Sequence, residues 1–195
     1  MMREREPVNG FSAKDHGIFK AIETKTVPSR AVRASTTRKI ALAATFVGLA
    51  VVLSPFYFPV GDTKCFPAQH MVNALAGVLL GPWYAVFIAM ATGTIRISTG
   101  MGTVFAYPGG IFGGLVVGLM YRYVRKTDYF ALIEPVGTVG IGATVSALAV
   151  APLIGKTMTL IYFWTAFAVS SIPGAILGFV ILKALRRVGV DRYFD

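Results

Sequence analysis

The chain has 195 residues, of which 55% are hydrophobic and only 14% charged, with a mean hydropathy of +0.65. Its 19 Lys and Arg against 9 Asp and Glu leave a formal charge of +10. This composition excludes an ordinary soluble domain, whose surface helices set polar faces against apolar stripes. Basic segments facing anionic lipid explain the positive charge better than nucleic acid does.

Residues 1–35 are polar, hold four acids among many bases, and show no sustained apolar period. They read as a cytoplasmic tail, partly disordered; a cleaved signal peptide would carry its apolar stretch nearer the start. Charge-free windows then follow at 40–61, 65–95, 97–121, 135–155 and 157–182. A membrane helix needs about 20 predominantly apolar residues, and the first window supplies helix 1 at 40–58. The second window is too long for one ordinary span, and Gly81-Pro82 breaks it. Proline fits the first turn of a new helix, which divides the window into helix 2 at 69–80 and helix 3 at 82–95. Helix 4 is expected at 104–121, helix 5 at 136–152 and helix 6 at 158–185. The links 59–68, 96–103 and 153–157 share one side of the membrane.

Charge fixes the count and the direction. Lys and Arg gather at Arg33, Arg38 and Lys39, at Arg122, Arg125 and Lys126, and at Lys183, Arg186, Arg187 and Arg192. The intervening ends carry only Lys64, Arg96 and Lys156. The positive-inside rule places the three clusters in the cytoplasm, so both termini are inside and the crossings are even in number. The expectation is an all-α integral membrane protein of the cell membrane. Its six-helix transmembrane domain covers 36–188, and a short cytoplasmic tail follows at 189–195.

Small residues recur four apart: Gly110, Gly114 and Gly118 in helix 4, and Ala166, Ser170, Gly174 and Gly178 in helix 6. Such spacing lets helix backbones approach closely in lipid. The isolated Gly77 reads as tolerated flexibility. The shorter face Ala44-x-x-x-Gly48 in helix 1 serves either internal packing or the docking of another membrane subunit.

The chemistry rests on few residues. Lys64-Cys65-Phe66-Pro67-Ala68-Gln69-His70 is the densest polar cluster in the hydrophobic part of the chain. Pro67 can open helix 2 and leave Gln69 and His70 in its first turn, with Asn73 one turn on. Polar groups at membrane depth are costly without partners, so these three face the bundle interior. There they hold a ligand or hydrogen-bond one another. Cys65, His70 and Asp62 could each ligate zinc, but a closed site takes four ligands and a catalytic one three plus water; the other histidine, His16, lies in the tail, and no metal is expected. Arg96 either snorkels from a helix end or positions a polar or anionic ligand at the external mouth. Phe105 and Tyr107 offer an aromatic wall, and Trp164, Thr165, Ser170 and Ser171 complete the lining.

Gly155-Lys156-Thr157 resembles the end of a phosphate-binding loop, but Val150 stands where the loop needs glycine. There is no nucleophile with a base and an orienting acid, and the acids Asp62 and Glu134 are expected toward opposite membrane faces. The chain therefore reads as neither an enzyme nor a cofactor protein.

Leu53-Ser54-Pro55, Pro59-Val60-Gly61, the Lys64–His70 string and Leu80-Gly81-Pro82-Trp83-Tyr84-Ala85 together resemble the ThiW family. These are thiazole-type substrate-binding S components of energy-coupling factor vitamin transporters. The resemblance runs from about Lys39 to Leu185. It implies capture of hydroxyethylthiazole, a thiamin precursor, beside a transmembrane coupling protein and two cytoplasmic ATPases. It also implies a ligand held between the helix 1–2 loop and the outer ends of helices 4 to 6. Ala41, Ala44 and Gly48 would then dock on the coupling protein. A self-sufficient secondary transporter or channel is the alternative, expected to show buried acids or inverted repeats. An integral-membrane enzyme is a further one.

Overall fold

Helices opened by prolines and ended by glycines organise this chain. The computed structural model describes residues 36–60 and 63–189. The tail 1–35, Asp62 and all but the first residue of the tail 189–195 lie outside them. Among the described residues there are six helices and one hairpin. Helix α1 (Thr36–Val52) leads into strands β1 (Phe58–Val60) and β2 (Thr63–Cys65), followed by α2 (Pro67–Leu79) and α3 (Pro82–Ser98). Next come α4 (Ala106–Leu119), which runs on through a π turn at Met120–Val124, then α5 (Asp128–Leu153) and α6 (Leu160–Arg187). α5 opens with a 3-10 segment at Asp128–Ile133 and is widened by π turns at Val136–Ala143 and Ser146–Val150.

Local chemistry sets the boundaries. Pro67 and Pro82 each occupy the first turn of a helix, where their missing N–H costs nothing. Between them Gly81 adopts φ 92°, a conformation that favours glycine, and so the chain reverses from α2 into α3. α1 ends earlier than residue 58. Ser54 Oγ bonds back to Ala50 O at 2.7 Å and Pro55 cannot continue the ladder. Residues 58–60 instead pair antiparallel with 63–65, Phe58 opposite Cys65 and Val60 opposite Thr63. α5 starts eight residues before the expected 136, which carries Glu134 into the helix.

The packing turns polar groups inward and apolar ones outward. α2 is buried at every position from Gln69 to Val78. At 13 residues it is only about 20 Å long, short of a hydrocarbon core of about 30 Å, and it is wrapped by α4, α6 and α3. Leu148, Ile161, Ile176 and Val180 face outward, while Asn73, Thr138 and Ser146 are fully buried. α5 and α6 are each long and apolar enough to cross a membrane. At one end of the bundle Asp128 holds α5 to α6: Arg186 Nε donates to Oδ1 at 2.6 Å and Lys183 Nζ lies 3.6 Å from Oδ2.

The glycine stripe of α4 is a packing surface. Side chains added at Gly110 and Gly114 would press on Ala89 and Ala85 of α3, and one at Gly118 would strike the Gly81-Pro82 backbone. Gly77, expected to be merely tolerated, is also a close contact, against Val117. Gly118→Ala should therefore destabilise the protein by about 1–3 kcal/mol through overpacking. At Gly48 an added Cβ meets nothing within 4 Å, so Gly48→Ala should hold or raise stability, since glycine is a poor helix former. Thermal unfolding in detergent checks both signs; equal midpoints would contradict the stripe's role.

Candidate functional site

The hairpin and the start of α2 are stapled to α6. Phe66 N donates to Ser170 Oγ at 2.8 Å, Cys65 Sγ donates to Ala166 O at 3.3 Å, and Tyr162 OH donates to Val60 O at 3.2 Å. Beside this seam lies a cavity of about 50 Å³, at the opposite end of α6 from the Asp128 cluster. Lys64 and Phe66 come from the hairpin and its exit, Gln69 and His70 from α2, and Arg96 from α3. Thr103 and Phe105 approach from the α3–α4 link, Gly109 and Gly110 from α4, and Ala166, Phe167 and Ser170 from α6.

Two features define its wall. The first is a pair of rings capped by a cation at each end. Lys64 Nζ sits 4.9 Å from the Tyr57 ring centre, Tyr57 and Phe66 are 5.5 Å apart, and the Arg96 guanidinium lies 3.5 Å over Phe66. Cations over aromatic faces are attracted by the ring quadrupole. The second is a hydrogen-bond chain that leaves the cavity for the core. Arg96 Nη1 donates to Gln69 Oε1 at 3.3 Å, Gln69 Nε2 to Asn73 Oδ1 at 3.0 Å, and Asn73 Nδ2 to Glu134 Oε1 at 3.1 Å. The same oxygen lies 2.9 Å from His70 Nδ1 and 2.7 Å from Thr138 Oγ1. Thr138 Oγ1 is also 2.9 Å from Gly109 O, so its single proton serves one of these acceptors at a time. Glu134 is wholly buried and Arg96 is 2% exposed.

Of the expected site residues, Lys64, Gln69, His70, Arg96, Phe105 and Ser170 line the cavity. Asn73 lies behind the wall, bridging Gln69 and Glu134. Tyr107 and Trp164 do not line it. Tyr107 packs on Gly93 with its hydroxyl 3.0 Å from Thr94 Oγ1, and Trp164, 44% exposed, donates from Nε1 to Thr144. Thr165 bonds back to Ile161 O on the exposed side, whereas Ser171 is buried with no partner for its Oγ among the described residues. Sequence reasoning missed Phe66, Phe167 and, above all, Glu134. That acid was expected near a membrane face; it lies inside the bundle, where α2 brings it His70 and Asn73 and its own helix brings Thr138.

A search of curated proteins finds no match to the chain. The family model described as thiamine-precursor transporter protein (ThiW) matches residues 40–188, most of the length. The chain belongs to this transporter family.

Proposed function

We propose that the chain is the substrate-binding component of an energy-coupling factor importer and captures hydroxyethylthiazole from outside the cell. The observation that carries this reading is the aromatic, polar-based cavity at one bundle end, in a chain whose sequence has no phosphate-binding loop. Ligand sites pair apolar walls with a few placed polar groups, and Phe66, Phe105 and Phe167 beside Gln69, His70 and Arg96 supply both. At about 50 Å³ the cavity is well below the roughly 300–1,000 Å³ of typical sites. A five-membered ring enters by moving part of the wall, and Arg96, whose Nε has no partner among the described residues, is the group best placed to yield. In this reading the chain is not an enzyme. It crosses the membrane six times with both termini cytoplasmic, and it works with a coupling protein and two ATPases. Ala41, Ala44 and Gly48 form an exposed small face on α1 for the coupling protein.

Tagging each terminus and testing protease access in right-side-out vesicles checks the topology. Both tags should be protected; one digested tag would end the six-span arrangement. The buried acid Glu134 favours a second reading, a self-sufficient secondary transporter, since such proteins use intramembrane carboxylates. Reconstitution separates the two. The isolated protein should bind ligand without ATP and accumulate none in liposomes, while addition of the coupling protein and ATPases should produce uptake. Accumulation by the chain alone would establish the second reading.

A further inference from the structure

The hydrogen-bond chain from Arg96 has one possible direction. A guanidinium only donates, so the Gln69 atom facing Arg96 is its oxygen, and the amide nitrogen is left to donate to Asn73. Asn73 must then accept with Oδ1, which turns its Nδ2 toward Glu134. The amide orientations follow from the cation at one end and end on the carboxylate at the other. Glu134 Oε1 accepts at the end of the relay, and a carboxylate there, which can only accept, calls for Nδ1–H from His70 across the 2.9 Å contact.

Neutral imidazole carries one proton. With that proton on Nδ1, Nε2 is a bare acceptor. It has no partner among the described residues, and His70 is part of the cavity wall whereas Glu134 is not. We infer that Glu134 is a positioning residue that holds His70 in the Nδ1–H form, so that the cavity selects ligands able to donate a hydrogen bond to Nε2. The relay also answers the Arg96 charge with a carboxylate, so the occupant is neutral rather than anionic. This inference rests on the substrate reading above for its ligand and narrows it: the hydroxyl of the thiazole alcohol is recognised as a donor. Its ring nitrogen is left to accept from the free N–H groups of Arg96. A proton-driven role for Glu134 is not needed to account for its burial.

The test has a part that needs no ligand. Histidine labelled with nitrogen-15 in the full chain, with His16→Gln leaving His70 as the single histidine, reports which ring nitrogen carries the proton. A protonated Nδ1 with a bare Nε2 is expected; a protonated Nε2 in the ligand-free protein would overturn the inference. The second part is calorimetry with hydroxyethylthiazole, its methyl ether, and the ethyl analogue that lacks the oxygen. The alcohol should bind at least about tenfold more tightly than either, because the ether accepts but cannot donate. Equal affinity for alcohol and ether would overturn the selectivity. Glu134→Gln keeps an acceptor oxygen and should retain the Nδ1–H form, whereas in Glu134→Leu, which offers no acceptor, the single-tautomer signal should be lost and the alcohol–ether gap should narrow to about threefold or less. An unchanged tautomer and gap in that variant would leave Glu134 a packing group only. If Glu134→Leu does not fold, the wild-type tautomer and the ether comparison still decide. A protonated Nδ1 with no binding of any thiazole would sink the substrate reading while supporting the role given to Glu134.

Discussion

His70→Ala and Gln69→Ala are expected to weaken hydroxyethylthiazole binding by roughly tenfold to a hundredfold in calorimetry of the detergent-purified protein. Each removes a cavity-wall group proposed to hydrogen-bond the ligand, a loss of about 1–3 kcal/mol. The two variants act differently on the wall. His70→Ala removes the proposed acceptor for the ligand and one donor to Glu134 at 2.9 Å. Gln69→Ala cuts the relay at its first link and frees Arg96 from its only described amide partner. Asn73→Ala should lower stability as well as affinity, because Asn73 is fully buried and acts through Gln69 and Glu134. Tyr107→Phe, Trp164→Phe and Lys156→Ala are controls outside the cavity, expected to stay within about twofold. Whole thiamin should bind more weakly than the thiazole, and riboflavin not at all. Wild-type affinity in both His70→Ala and Gln69→Ala would remove the proposed site, and tight binding of another vitamin would remove the substrate.

Much of the fold was legible where the chain carries its own punctuation. Gly81-Pro82 marked the break between α2 and α3 because proline geometry and a positive-φ glycine act locally. Pro67 marked the start of α2 for the same reason, and with it the interior placement of Gln69, His70 and Asn73. The hairpin was not read. Its strands are three residues each, too short for an alternating pattern to rise above the surrounding apolar sequence. The side of the bundle on which each aromatic lies was also hidden. In a soluble helix the polar face reveals the apolar one, but α6 carries large apolar residues on its outer face, Ile161, Ile172 and Ile176, as well as its inner one. Nothing local separates Phe163 and Phe167, which face inward, from Trp164, which faces out. Glu134 failed for a third reason. A lone acid beside Pro135 looks like the end of a span, and its partners His70 and Asn73 lie 64 and 61 positions away. Only the packing of α2 against α5 shows that this acid has donors waiting for it.

That convergence makes Glu134 the residue whose loss should harm the fold most. In Glu134→Ala the buried donors of His70, Asn73 and Thr138 lose their shared acceptor, and removal of the side chain leaves a void against Gly113. Each buried donor left without a partner costs about 1–3 kcal/mol. Thr138 can still donate to Gly109 O, which leaves the His70 and Asn73 donors unpaired and an expected loss of about 2–6 kcal/mol. Glu134→Gln keeps an oxygen for the same donors and nearly the same volume, so it should cost much less in stability. Thr138→Val is milder again, since it removes one donor and leaves the His70 and Asn73 contacts. Thermal unfolding in detergent and in nanodiscs should rank the variants Ala, Gln, Val from most to least damaging. The ranking separates the effect of the missing acceptor from that of a mere hole. If Glu134→Ala unfolds at the wild-type midpoint, the carboxylate does not organise the interior and the relay from Arg96 has no terminus.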